Sequence, residues 1–99
     1  MERKKQFTIL LSATDTLSCE LHTKDGTLIN FALEYSTEID GVRHKILCVD
    51  THHGFAHIHI FQTDRNIPIT NDIRQYSNTY NQYKKYIENN FEELKNKYL

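Results

Sequence analysis

Three dipeptides punctuate the first two-thirds of the chain: Asp25-Gly26, Asp40-Gly41 and His53-Gly54. Each stands between runs in which apolar and polar residues alternate. An Asp-Gly or similar X-Gly pair in that setting is the strongest short-range mark of a β-hairpin. Hairpins this tight force antiparallel neighbours, so the chain is committed to a meander before any other feature is weighed. Phe7–Ala13 reads as the first strand and Leu17–Thr23 as the second, with Leu17, Cys19 and Leu21 on one face. Thr27–Thr37 is the third, and its Ile29, Phe31, Leu33 and Tyr35 are expected to point at the core. Arg43–Thr51 and Phe55–Gln62 complete five strands.

The remainder has helical period. Ile73, Tyr76, Tyr80, Tyr83, Ile87, Phe91, Leu94 and Tyr98 recur at spacings of 3, 4, 3, 4, 4, 3 and 4, and Asn71 or Asp72 can cap the start. Such a helix is roughly 40 Å long at 1.5 Å per residue, against about 23 Å for a seven-residue strand. Its C-terminal half is therefore expected to overhang the sheet or to pair with a second copy, which makes a homodimer through helix 72–98 one expectation. Ile67-Pro68-Ile69 reads as connector, because Pro68 cannot sit in a central strand. The expected object is a single α+β domain over residues 1–99. It is a five-stranded antiparallel β-meander over 5–62, a connector over 63–71 and one long helix over 72–98 packed on one sheet face.

Composition excludes several classes. At 99 residues and 38% hydrophobic there is material for one small core, which leaves no room for a Rossmann or barrel enzyme. Twelve basic residues against 13 acidic ones leave a net charge of −1, so no global field draws the chain to nucleic acid or to an anionic membrane. The longest apolar run, Ile9-Leu10-Leu11, is far short of a bilayer span. Met1-Glu2-Arg3-Lys4-Lys5 lacks the apolar stretch of a signal peptide, so the expected location is cytoplasmic. Cys19 and Cys48 are too few for a disulfide scaffold and read as small buried hydrophobes.

The residues that stand out are histidines: six in the chain, four of them between positions 52 and 59. With His53-Gly54 at a two-residue turn, Asp50 lies opposite His57, Val49 opposite Ile58, Cys48 opposite His59 and Leu47 opposite Ile60. Leu47, Val49, Ala56, Ile58 and Ile60 then share the core face, while His44, Cys48, Asp50, His57 and His59 share the other. A slip of one residue would bury the histidines and expose the isoleucines, so the pattern selects this register. An aspartate opposite an imidazole can hold one ring nitrogen and fix its tautomer. A second histidine beside it completes a general acid–base pair without a metal. A ribonuclease needs that much: one group takes the 2′-hydroxyl proton and another protonates the leaving 5′-oxygen.

On this reading Asp50, His53 and His57 are the catalytic candidates, and Arg43 and His59 the substrate-binding ones. Lys45 and Arg65 are further cations for phosphate, and Tyr76 and Tyr80 are aromatic surfaces on which a base could stack. Two other readings compete. His57 and His59 alternate with Ile58 and Ile60 and fit the solvated side of an edge hairpin, with function then carried by the helix as a non-catalytic interaction or dimerisation module. Alternatively Asp50, His57 and His59, with Cys48 across the ladder, supply ligand types suited to zinc. His22 and His44 read as surface strand residues, and Gly54 as a position that needs positive φ.

Val49-Asp50-x-x-His53-Gly54-Phe55-x-His57, preceded by Phe31-x-Leu33-x-Tyr35 and Ile39-Asp40-Gly41, resembles a group of small uncharacterised prokaryotic proteins with a D-x-x-H-G-x-x-H hairpin. That group is similar to the TumE-like toxins of toxin–antitoxin modules. The matching stretch is residues 28–61, and the matching motif positions are Asp50, His53, Gly54 and His57. His52 and His59 lie outside the shared pattern, and the long C-terminal helix departs from it. The resemblance implies a toxin-like protein with RNA as substrate and a separate antitoxin protein as partner.

Overall fold

A computed structural model describes residues 1–99. The Asp-Gly pairs do what their chemistry requires. Asp25 and Gly26 have φ of 50° and 82°, and Asp40 and Gly41 have 52° and 78°, so both central residues of each turn are left-handed, the type I′ pattern whose twist matches the flanking strands. The strands they join are β2 (Asp15–Lys24), β3 (Thr27–Ile39) and β4 (Val42–Asp50). With β1 (Glu2–Leu10), β5 (Ala56–Ile60) and β6 (Arg65–Thr70) they form one antiparallel sheet in the order β1-β2-β3-β4-β5-β6. The meander is as expected, but it has six strands and not five. The residues read as a connector supply the sixth. Pro68 sits opposite His57 on an edge strand, where its missing N–H interrupts no second ladder. The first strand also begins earlier than its apolar residues indicate, at Glu2, because the whole of β1 pairs with β2.

Two bulges move side chains from the faces that alternation assigns. The ladder between β2 and β3 shifts at His22/Thr23, leaving Ile29 without a partner. Leu28 then occupies the core position expected of Ile29 and is buried. The ladder between β3 and β4 shifts at Tyr35/Ser36 and leaves Ile46 unpaired. That insertion turns His44 onto the opposite face from Asp50, where its Nδ1 lies 3.2 Å from the Tyr98 hydroxyl.

The helical part is a single 3₁₀ turn, Ile73–Gln75, followed by α1 (Tyr76–Tyr98). Asp72 caps the turn by accepting the Arg74 N–H, and Ile73, the first member of the apolar stripe, is 44% exposed. From Tyr76 onward the stripe packs on β3 and β4, with Tyr76 and Tyr80 edge-on to Phe31 and with Ile87 fully buried. The helix does not overhang. β3 has 13 residues, roughly 43 Å of strand, against about 35 Å for the 23-residue α1. The last turn is held by Tyr98, which meets His44 and accepts the Gln62 side-chain amide on its carbonyl.

A buried polar node ties α1 to the far end of the sheet. Asp15 accepts from the Ser12 and Thr14 hydroxyls on one oxygen. The Tyr35 hydroxyl is 2.6 Å from its other oxygen and 3.0 Å from the Phe91 carbonyl on α1. Burial alone pushes this carboxyl up. The hydrogen bonds from Ser12, Tyr35 and Thr14, with the Thr37 hydroxyl opposite in the ladder acting the same way, overcome it and hold Asp15 down at about 2.

Candidate functional site

The helix covers one face of the sheet and leaves the other open, and the open face carries Asp50, His57 and His59. The ladder between β4 and β5 has the register that the apolar pattern selects: Leu47↔Ile60, Cys48↔His59, Val49↔Ile58 and Asp50↔His57. The tip is longer than a two-residue turn. Thr51 does not continue the hairpin; its N–H bonds the Phe31 carbonyl and its hydroxyl accepts the Phe31 N–H. The chain then turns through His52 and His53 to Gly54, whose φ is 86° and whose N–H returns to the Thr51 carbonyl. An even number of residues separates the last pair, so the faces survive the change.

Asp50 is the centre of this tip. Its Oδ1 accepts the backbone N–H of His52 at 3.0 Å, the i to i+2 bond by which an aspartate shapes its own turn. The same oxygen lies 3.5 Å from His57 Nε2, and Oδ2 accepts the Cys48 thiol at 2.9 Å. His57 Nδ1 lies 3.4 Å from the Phe55 carbonyl. Thus the Nδ1 edge of His57 meets the Phe55 carbonyl and its Nε2 edge faces the carboxylate. The rings of His53 and Phe55 close over His57, at 4.9 and 5.5 Å between centroids. As a result Asp50 is 8% exposed and His57 3% exposed, while His52 and His53 face solvent. Burial, with the bond to Asp50 adding to it, pushes the Cys48 thiol far above its usual range, so it stays a protonated donor.

The three residues expected to be catalytic are therefore brought together, but with divided roles. His53 is reachable and His57 stands behind it. The substrate-binding candidates are elsewhere. Arg43 binds the Thr16 and Ser36 hydroxyls, seven positions before Asp50 on β4, which is roughly 20 Å along the strand. His59 turns to Asp64, 3.2 Å away, and stacks on Phe61. Lys45 pairs with Glu34. Tyr76 and Tyr80 are buried under the helix on the opposite face, so they offer no surface for a base. Asp50 and His57 stand together, but His59 is turned to Asp64 and does not join them in the zinc ligand set.

His52 is not among the residues that the strand alternation singles out. The cue was available: Asp50 followed two residues later by a turn residue is an Asx-turn pattern, which presents the next side chains outward. Beside His52, on the same open face, lies a cleft of about 570 Å³ whose wall includes Lys4, Glu20, His22, Asn30 and Thr51.

Fold and tip together define a small α+β protein in which one helix covers a six-stranded meander and a histidine-rich hairpin ends its open face. The chain belongs to the family described as a domain of unknown function, DUF7718, whose model matches residues 1–99. No curated protein and no solved structure matches the chain. No helix is long and apolar enough to cross a membrane.

Proposed function

We propose that the hairpin tip is an acid–base site that cleaves RNA, in a toxin-like protein restrained by a separate antitoxin protein. The observation that carries the reading is the gathering of Asp50, His52, His53 and His57 in one loop, with two imidazoles facing solvent and the other two groups locked behind them. His53 and His52 are the catalytic pair. His57 is a positioning residue that supports the His53 ring, and Asp50 fixes both His57 and the His52 backbone. One exposed imidazole takes the proton from a ribose 2′-hydroxyl, and the 2′-oxygen attacks the adjacent phosphorus. The bond from phosphorus to the 5′-oxygen breaks, and the other imidazole, entering protonated, gives its proton to that oxygen. The products are a 2′,3′-cyclic phosphate end and a 5′-hydroxyl end, with no co-reactant consumed. His53→Ala is expected to lower cleavage of a fluorogenic RNA by about 100-fold or more, with the cyclic phosphate visible by mass spectrometry of the wild-type product. Equal rates for wild type and His53→Ala, or product ends of another kind, overturn the reading.

A second reading, the interaction module, is favoured by a different observation. The helix leaves part of the apolar sheet face uncovered, and an apolar groove of about 580 Å³ runs between α1 and β4–β5. Ile58 and Ile60 form one side, Tyr83 and Leu94 the other, and Tyr86 stands at the lip, 43% exposed. A lip and a groove on one patch are what a two-fold symmetric dimer requires, so the occupant we infer is the Tyr86 lip of a second copy. Light scattering is expected to show a dimer that Tyr86→Asp converts to monomer. A wild-type monomer at high micromolar concentration overturns this.

A further inference from the structure

We propose that the cleft beside the tip binds the phosphates of single-stranded RNA next to the bond being cut, an inference that rests on the hairpin-tip reading for its choice of ligand. Side chains with unspent donors line this cleft in a row. Lys4 pairs with His22 across the β1–β2 ladder and His22 with Asn30 across the β2–β3 ladder, so the three side chains stand abreast on the face the helix leaves open. Thr51 and His52 continue the row towards the tip.

Lys4 makes no ion pair, and the only protein hydrogen bond to the Asn30 side chain is received by its oxygen, from Thr51 at 3.1 Å, which leaves the amide N–H₂ unspent. His22 Nε2 is shielded from bulk water and has no hydrogen-bond partner; its nearest charged neighbour is Glu2, at 3.8 Å. Glu20 is the one acid in the wall, and its carboxylate accepts the Gln6 amide. A wall with two ammoniums, Lys4 and Lys5, two imidazoles and the free Asn30 amide suits an anion with several acceptor oxygens.

The dimensions select a chain of phosphates over a single one. Adjacent strands lie ~4.8 Å apart, so the row from Lys4 to the tip crosses on the order of 15 Å, and the cleft volume is that of a ligand larger than one phosphate. Single-stranded RNA fits the chemistry next door, because in-line attack by a 2′-oxygen needs a backbone free to splay. The cleft also takes over the substrate-binding part that Arg43 and His59, held elsewhere, do not play.

The test uses the full chain and a fluorescein-labelled 2′-O-methyl oligouridylate, which cannot be cut by its own 2′-oxygen, followed by anisotropy over a range of salt. Lys4→Ala is expected to weaken binding about threefold to tenfold and to reduce the salt slope by roughly 0.7, the value for one lost contact on a single strand. His22→Gln is expected to weaken it as well, Glu20→Gln to tighten it, and Arg43→Ala to leave it alone. Circular dichroism checks that each variant is folded. Wild-type affinity in both Lys4→Ala and His22→Gln overturns the proposal, as does absence of binding by wild type. Inorganic phosphate that displaces the oligonucleotide at concentrations near its own Kd identifies a free-phosphate site and overturns it too. His53→Ala separates the two readings: binding retained with cleavage lost supports both. Wild type that binds but does not cleave sinks the catalytic reading and leaves the cleft standing.

Discussion

Replacing Asp50 by alanine should destabilise the protein by about 3 kcal/mol, because it removes a charged acceptor from two hydrogen-bond donors and the carboxylate that faces His57. The Cys48 thiol and the His52 N–H both bond this one buried carboxylate, and the Nε2 edge of His57 stands 3.5 Å from it. Each donor left without a partner costs on the order of 1 kcal/mol, more where water cannot reach it, and His57 is sealed beneath His53 and Phe55. A loss of this size lowers Tm by roughly 15 °C in a chain of this length. Asp50→Asn keeps the shape and one acceptor oxygen, but its N–H₂ now faces the thiol or the amide, so it should recover about half of the loss. Thermal melts of the two variants check this. A Tm for Asp50→Ala within a few degrees of wild type would show that the tip does not depend on its carboxylate. The same substitution should abolish cleavage by the tip, since the turn that presents His52 and His53 is built on the Asp50 side chain.

At the other end of the sheet, stability should fall with acid because of Asp15. Its folded carboxyl sits at about 2, below the 3.8 of an ordinary aspartate. The unfolded chain therefore binds this proton more tightly than the folded one. The contribution is fully present above the unfolded value and is lost as pH falls through the folded one. The shift corresponds to roughly 2 kcal/mol, present at pH 5 and gone below pH 2. Urea midpoints taken from pH 6 downward should converge for wild type and Asp15→Asn, wild type being the more stable at the upper end. Parallel curves would mean that the node does not couple to protons. Because the Tyr35 hydroxyl bridges Asp15 and the Phe91 carbonyl, the acid-induced loss should appear in the helical signal of α1 first.

Much of this architecture is legible in the chain. Asp25-Gly26 and Asp40-Gly41 name their turns, because few residue pairs accept positive φ in succession. The alternation of Leu47, Val49, Ile58 and Ile60 sets the β4–β5 register, and with it the meeting of Asp50 and His57, since a slip would put isoleucines in water. The apolar stripe of α1 is equally plain. The sixth strand was not legible: Pro68 reads as a breaker, and only its place at the sheet edge makes it harmless. The full extent of β1 was not legible either, because Glu2-Arg3-Lys4-Lys5 has no apolar pattern and pairs only because β2 offers a partner.

The division has a physical reason. Turn chemistry and hydrophobic period act between residues a few positions apart, so the sequence by itself determined the hairpins, the helix, the antiparallel meander and the pairing of Asp50 with His57. Burial, bulges and edges depend on which distant strand lies alongside. Only the tertiary structure decided that Ile46 would drop out of the ladder and turn His44 under the helix. It likewise decided that His53 and Phe55 would seal His57 while His52 stayed in solvent, and that Lys4, His22 and Asn30, far apart in the chain, would stand abreast.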